Sequence, residues 1–114
     1  MSSYTDLEQI RRLQEVMGSD ARDIVASMLG SLTGAIEQVD AAMKAGELDG
    51  ATRAAHAARN DAMTLGARQL LEALTDLEAA TRDWDAPRAS AAFERVQAVW
   101  PPTRDELRGA TNPP

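Results

Sequence analysis

Apolar residues recur every three or four positions along most of the chain, and breaks in that rhythm divide it into five helical segments. The first, Asp6 to Met17, sets Leu7, Ile10, Leu13, Val16 and Met17 on one side. Gly18-Ser19-Asp20 then interrupts it and offers N-cap oxygens to the next. The second segment runs from Asp20 to Lys44, with Ile24, Met28, Leu32, Ile36, Val39 and Met43 in one continuous stripe. At 1.5 Å per residue it would span roughly 37 Å, the length of a helix in a bundle. Gly30 and Gly34 lie inside it, and each weakens a helix by about 1 kcal/mol relative to alanine. Close packing against a neighbouring helix is the expected reason for them.

Gly46 is a natural C-cap, and Glu47 or Asp49 can start the third helix. That helix runs to Leu65 with a small apolar face of Ala51, Ala54, Ala55, Ala58, Ala62 and Leu65, and Gly66 ends it. The fourth follows at once, from Ala67 to Arg82, with Leu70, Leu71, Leu74 and Leu77 inward. Asp85 caps the fifth, whose Pro87 falls in the first turn, where a missing N–H costs nothing. Ala89, Ala92, Phe93, Val96 and Trp100 form its apolar face. Pro101-Pro102 is expected to stop this helix, leaving 101–114 as a proline-rich, partly disordered tail with at most one turn near Arg104 to Leu107. Links this short force successive helices to lie antiparallel. The predicted fold is therefore all-α: an up-down-up-down four-helix bundle over residues 1–100, with the short N-terminal helix as a lid across one end.

Composition narrows the function. The chain has 114 residues, room for one domain; 44% are hydrophobic but only 4% aromatic, which suits packed helices. The absence of cysteine excludes disulfides and thiolate metal sites, and a small protein folding on its core alone is expected in the cytoplasm. The N-terminus has no apolar h-region, and no apolar run is long enough for a membrane span. A net charge of -6 argues against nucleic acid and against an anionic membrane as partner. No phosphate-cradling glycine loop and no acidic cluster with metal-ligand spacing occurs.

One residue stands apart. His56 is the only histidine, and Thr52, Arg53, Arg59, Asn60 and Met63 share its helix face, while Ala55, Ala58 and Ala62 lie on another. The ring is expected to point outward between Arg53 and Arg59. From Ala51 to Leu70 there are three arginines and one acid, a local +2 within a net-negative chain, which suits a site that must meet a dianion. An exposed imidazole in neutral water has a free, nucleophilic ring nitrogen and needs no dedicated base.

The stretch from Ala55 to Leu70 resembles the signature of the histidine-containing phosphotransfer (HPt) family. After the histidine that pattern has a basic residue, usually glycine, a small residue, Gly-Ala, leucine and Leu-Glu; here these places hold Arg59, Asn60, Ala62, Gly66-Ala67, Leu70 and Leu77-Glu78. The turn Ala45-Gly46-Glu47-Leu48-Asp49 is similar to the one before the family's histidine helix. The resemblance covers roughly Asp6 to Trp100. It departs at Arg59, where lysine is usual, and at Asn60, where glycine is usual.

The resemblance implies a phosphocarrier in a two-component phosphorelay, without autonomous turnover. His56 would take the phosphoryl group on Nε2, Arg59 would stabilise its oxygens, and Glu78 would accept the Nδ1 proton and orient the ring. Asn60, Arg53, Met63 and Ala67 would contact partners, with Met17, Met28 and Met63 as candidate docking thioethers. The partners would be response-regulator receiver domains and an upstream sensor or hybrid histidine kinase. The chain would bind no cofactor, because the receiver brings the Mg²⁺, and would act as a monomer. Two rivals remain. One is a helical adaptor that binds signalling proteins without being phosphorylated, favoured by the bulk of Asn60. The other is the dimerisation and phosphoacceptor domain of a sensor kinase, which has an acid directly after its histidine where this chain has Ala57.

Overall fold

Glycine and capping residues end the helices where the hydrophobic rhythm breaks. The protein, a computed structural model, is described over residues 4–111 and comprises α1 (Leu7–Met17), α2 (Asp20–Ala45), α3 (Leu48–Leu65), α4 (Arg68–Arg82) and α5 (Ala86–Thr111), with no strand among the described residues. Asp6 caps α1 by accepting the Glu8 N–H, and Asp85 caps α5 by accepting the Arg88 N–H. Ser19 makes no side-chain cap; the Gly18 carbonyl instead takes the Ala21 N–H at the start of α2. Gly46 and Gly66 both adopt φ 71°, the left-handed turn that lets the chain reverse after α2 and α3.

Each long helix packs on its successor, and α5 also touches α2, so α2 to α5 enclose one core. Leu32, Val39, Leu65, Leu70, Leu74, Leu77 and Val96 are fully buried in it. On α2 the buried set is Ala21, Val25, Leu29, Leu32, Ala35, Ile36 and Val39, while Ile24, Met28 and Met43 are only partly covered. The expected stripe is thus displaced around the helix, because α2 meets both α3 and α5 rather than one neighbour. On α3 the inward face is almost entirely alanine, and small side chains let helix axes approach closely.

Further expectations are corrected. Gly30 and Gly34 do not mediate close packing: a Cβ at either would meet nothing within 4 Å. Of the apolar residues on α1, only Ile10 is buried; Val16 is 80% exposed, because α1 packs less extensively on α2 and α3 than the long helices pack on one another. Its seat is fixed by Asp6 N–H to Gly66 O at 2.6 Å and Gln9 Nε2 to Met63 O at 3.0 Å. The helix also does not stop at Pro101-Pro102 but continues to Thr111. The two missing N–H groups would have reached the carbonyls of Gln97 and Ala98, both exposed residues whose carbonyls water can serve. Beyond the prolines, Thr103 and Leu107 are fully buried, and Glu106 accepts hydrogen bonds from Tyr4 N–H and Thr5 Oγ1–H at 2.9 Å each. Burial and these bonds outweigh the local proline penalty, so residues 101–111 belong to the domain; the rest of the predicted tail lies outside the described residues. The correction for Ala67 concerns the site. No helix among the described residues is long and apolar enough to cross a membrane.

Candidate functional site

The packing of α3 against α4 brings together side chains that the sequence nominates 22 residues apart. Register is set one turn away. Thr52 Oγ1 on α3 donates to Thr81 Oγ1 on α4 at 2.7 Å, and the fully buried Thr81 hydroxyl donates to Leu77 O at 2.9 Å. With those helices so aligned, His56 Nδ1 lies 3.1 Å from Glu78 Oε2. The imidazole is 54% exposed and the carboxylate only 5%. The outward direction expected for the ring is what the structure has. Glu78 is a buried charge, not a solvated surface side chain.

A buried carboxylate is stable only with partners, and three surround it. Besides the imidazole, Arg82 donates from a terminal guanidinium nitrogen to the same Oε2. Arg59 Nε sits 3.0 Å from Oε1. That approach is near enough for charge attraction but off the line of an N–H bond, and both atoms are buried without an aligned hydrogen bond. Coulomb attraction is not directional, so the ion pair stands while the hydrogen bond does not. A terminal nitrogen of Arg59 is also 3.3 Å from His56 Nδ1. Only one proton can occupy the Nδ1 position. An ionised carboxylate has none to give, so the favoured arrangement is Nδ1–H donating to Glu78, with the Arg59 contact reduced to proximity. Nε2 then carries the lone pair, on a ring that is more than half exposed.

The other nominated residues divide around this centre. Asn60 is exposed on the turn after His56, and Met63 is 50% exposed beyond it. Arg53 is exposed on the turn before and lines a shallow groove with Gln38 and Ala41 toward α2, away from Glu78. Arg59 turns the other way, toward α4, so the two arginines do not bracket the ring symmetrically. Ala67 is fully buried at the start of α4, where its backbone bonds to Ala62 O and Leu71 N–H, so it offers no partner contact. Its place directly after a left-handed glycine puts it under the turn, which residue spacing alone did not reveal. Asp61, the only acid in the basic stretch, is held by Ser31 Oγ–H at 2.8 Å. Met17 is partly exposed on α1, and Met28 packs against the core. Arg82 is absent from the residues the sequence nominates; its signal is the four-residue spacing from Glu78, which puts both on one helix face.

The fold that arranges these groups is that of histidine-containing phosphotransfer proteins. Among solved structures, the chain is similar to histidine-containing phosphotransfer protein B (HptB) from Pseudomonas aeruginosa PAO1, with a TM-score of 0.87 over 97% of this chain and 96% of that one. The two sequences are 21% identical, so the likeness is one of fold. No protein-family model and no curated protein matches the sequence.

Proposed function

We propose that this chain is a phosphocarrier of the HPt family, accepting a phosphoryl group on His56 Nε2 and exchanging it with receiver-domain aspartates in a two-component phosphorelay. The observation that carries this reading is a single solvent-open imidazole whose Nδ1 is tied to a buried carboxylate, in a fold shared with a phosphotransfer protein. The helix pairings fit an up-down-up-down four-helix bundle with α1 across one end.

In the forward step the Nε2 lone pair attacks the phosphorus of a receiver's aspartyl phosphate. The N–P bond forms, the P–O bond to the acyl oxygen breaks, and the aspartate leaves as carboxylate with that electron pair. His56 keeps its Nδ1 proton throughout. The ring therefore gains positive charge as the bond forms, and that charge develops 3.1 Å from Glu78 Oε2. The reverse step returns the phosphoryl group along the same path. Arg59 lies on the Nδ1 side of the ring; rotation about its side-chain torsions carries the guanidinium to the phosphoryl oxygens, where a charge-assisted bond contributes about 1.5–3 kcal/mol. Mg²⁺ belongs to the receiver, and the carrier acts as a cytoplasmic monomer that needs no cofactor and turns over no small substrate. Asn60, Arg53 and Met63 form the exposed rim that a receiver would meet.

The test is incubation with a phosphorylated receiver or hybrid kinase. Label should transfer to the parent chain, survive base, vanish in acid, and be absent from His56→Gln. A parent chain that stays unlabelled while still binding those partners would establish the adaptor instead.

A further inference from the structure

We infer that Arg82 is a positioning residue: its guanidinium holds the Glu78 carboxylate and offsets its charge, so that Glu78 fixes His56 through Nδ1 without drawing a second proton onto Nε2. The consequence for phosphoryl transfer rests on the phosphocarrier function proposed above; the effect on the ring does not.

A buried carboxylate against an imidazole stabilises the charged, doubly protonated ring. An imidazolium has no lone pair on Nε2 and cannot be phosphorylated there. The site thus needs the carboxylate as an acceptor but not as a full uncompensated charge. Two guanidiniums supply that balance. Arg59 lies against Oε1, and Arg82 bonds to Oε2, the same oxygen that faces the ring. The charged groups facing His56 are Arg59 on its own helix and Glu78 with Arg82 on α4, and Arg53 lies one turn away.

The two cations are not equivalent. If Arg59 turns outward to meet a phosphoryl group, it leaves Glu78, and Arg82 is then the one cation among these still on the carboxylate. Arg82 is suited to stay, because it springs from α4 four residues after Glu78 and its contact needs no movement between helices. An ordinary exposed helix pair would share the spacing, but its acceptor would not be a 5%-exposed carboxylate whose bonded oxygen also orients a reactive ring.

A single histidine makes the experiment direct. In ¹⁵N-labelled protein at neutral pH, long-range ¹H–¹⁵N spectra of the ring report which nitrogens carry protons. The parent should show protonated Nδ1 and bare Nε2. Arg82→Ala should raise the ratio of doubly protonated to neutral ring about tenfold, the effect of one neighbouring charge partly screened by water. Arg82→Lys should resemble the parent, and Arg82→Ala should change nothing further in a Glu78→Gln background, because no carboxylate charge remains to be offset. The rate of labelling from a phosphorylated receiver should fall with the ring change and recover as the pH is raised and the second proton leaves. Arg82→Gln keeps the aliphatic stem and serves if the alanine variant loses helicity.

A parent-like ring in Arg82→Ala and Arg82→Gln would overturn the assignment, as would an equal change without the Glu78 charge. A rate that stays low at the higher pH with an unaltered ring would mark Arg82 as merely structural and overturn it too. If no protein in the series takes label, the phosphocarrier function fails while the spectra still decide the role of Arg82.

Discussion

Leu107→Ala tests whether the segment beyond the two prolines is part of the domain. Leu107 is fully buried with the core, in a stretch whose sequence reads as a tail. The substitution removes three carbon atoms from the interior; at about 0.8 kcal/mol each, transfer alone costs about 2.4 kcal/mol. The cavity left behind adds to this, because its walls relax only partly, and the total comes to about 3–4 kcal/mol. A domain of this size has about 5–15 kcal/mol in all, so the loss is a large fraction. Equilibrium unfolding in urea, followed by far-UV circular dichroism, reads it directly. With a slope of about 2 kcal/mol per molar, the midpoint should fall by about 1.5–2 M at constant slope. Leu107→Met, which keeps the volume, should cost under about 1.5 kcal/mol. A tail in solvent would make both substitutions nearly neutral, within about 0.5 kcal/mol. A midpoint shift in Leu107→Ala below about 0.3 M would show that α5 ends before this residue and would remove the packing account given for it.

Two glycines should respond oppositely to alanine. Gly34→Ala, mid-helix with open space around the new methyl, should stabilise by about 0.5–1 kcal/mol. Gly66→Ala should destabilise by at least about 1–2 kcal/mol from its left-handed backbone alone, and its Cβ would also meet Asp6 O at 2.8 Å; paired urea melts check both signs. Glu78→Ala strands two guanidiniums and frees the ring: the expected cost is about 2–3 kcal/mol in the same melts, with receiver-dependent labelling of His56 slowed by about 10–100-fold. Full labelling speed in that variant would remove Glu78 from the site.

Helix number and most helix ends were legible in the chain itself. Left-handed glycines at 46 and 66 and the acidic cap at Asp85 act on neighbouring backbone, so a local reading captures them. The outward direction of His56 was legible for the same reason, since helical spacing alone separates it from Ala55, Ala58 and Ala62. Local rules also misled. Pro101-Pro102 reads as a stop because each proline weakens its own turn, but the outcome depends on Thr103 and Leu107 finding a core made by distant residues. Gly30 and Gly34 read as packing sites, although a Cβ at either would meet only open space.

What the sequence by itself determined is the set of helices and one reactive side chain on an exposed face, because 3.6-residue periodicity and capping are properties of contiguous chain. What only the tertiary structure decided is the environment of that side chain. A carboxylate 22 residues away becomes buried and meets Nδ1 because the alanine face of α3 packs on α4 and Thr52 and Thr81 set the register. Burial and charge balance are collective quantities: whether Glu78 is a solvated surface acid or the hub of an imidazole and two guanidiniums depends on which helices close over it, and no single segment carries that information.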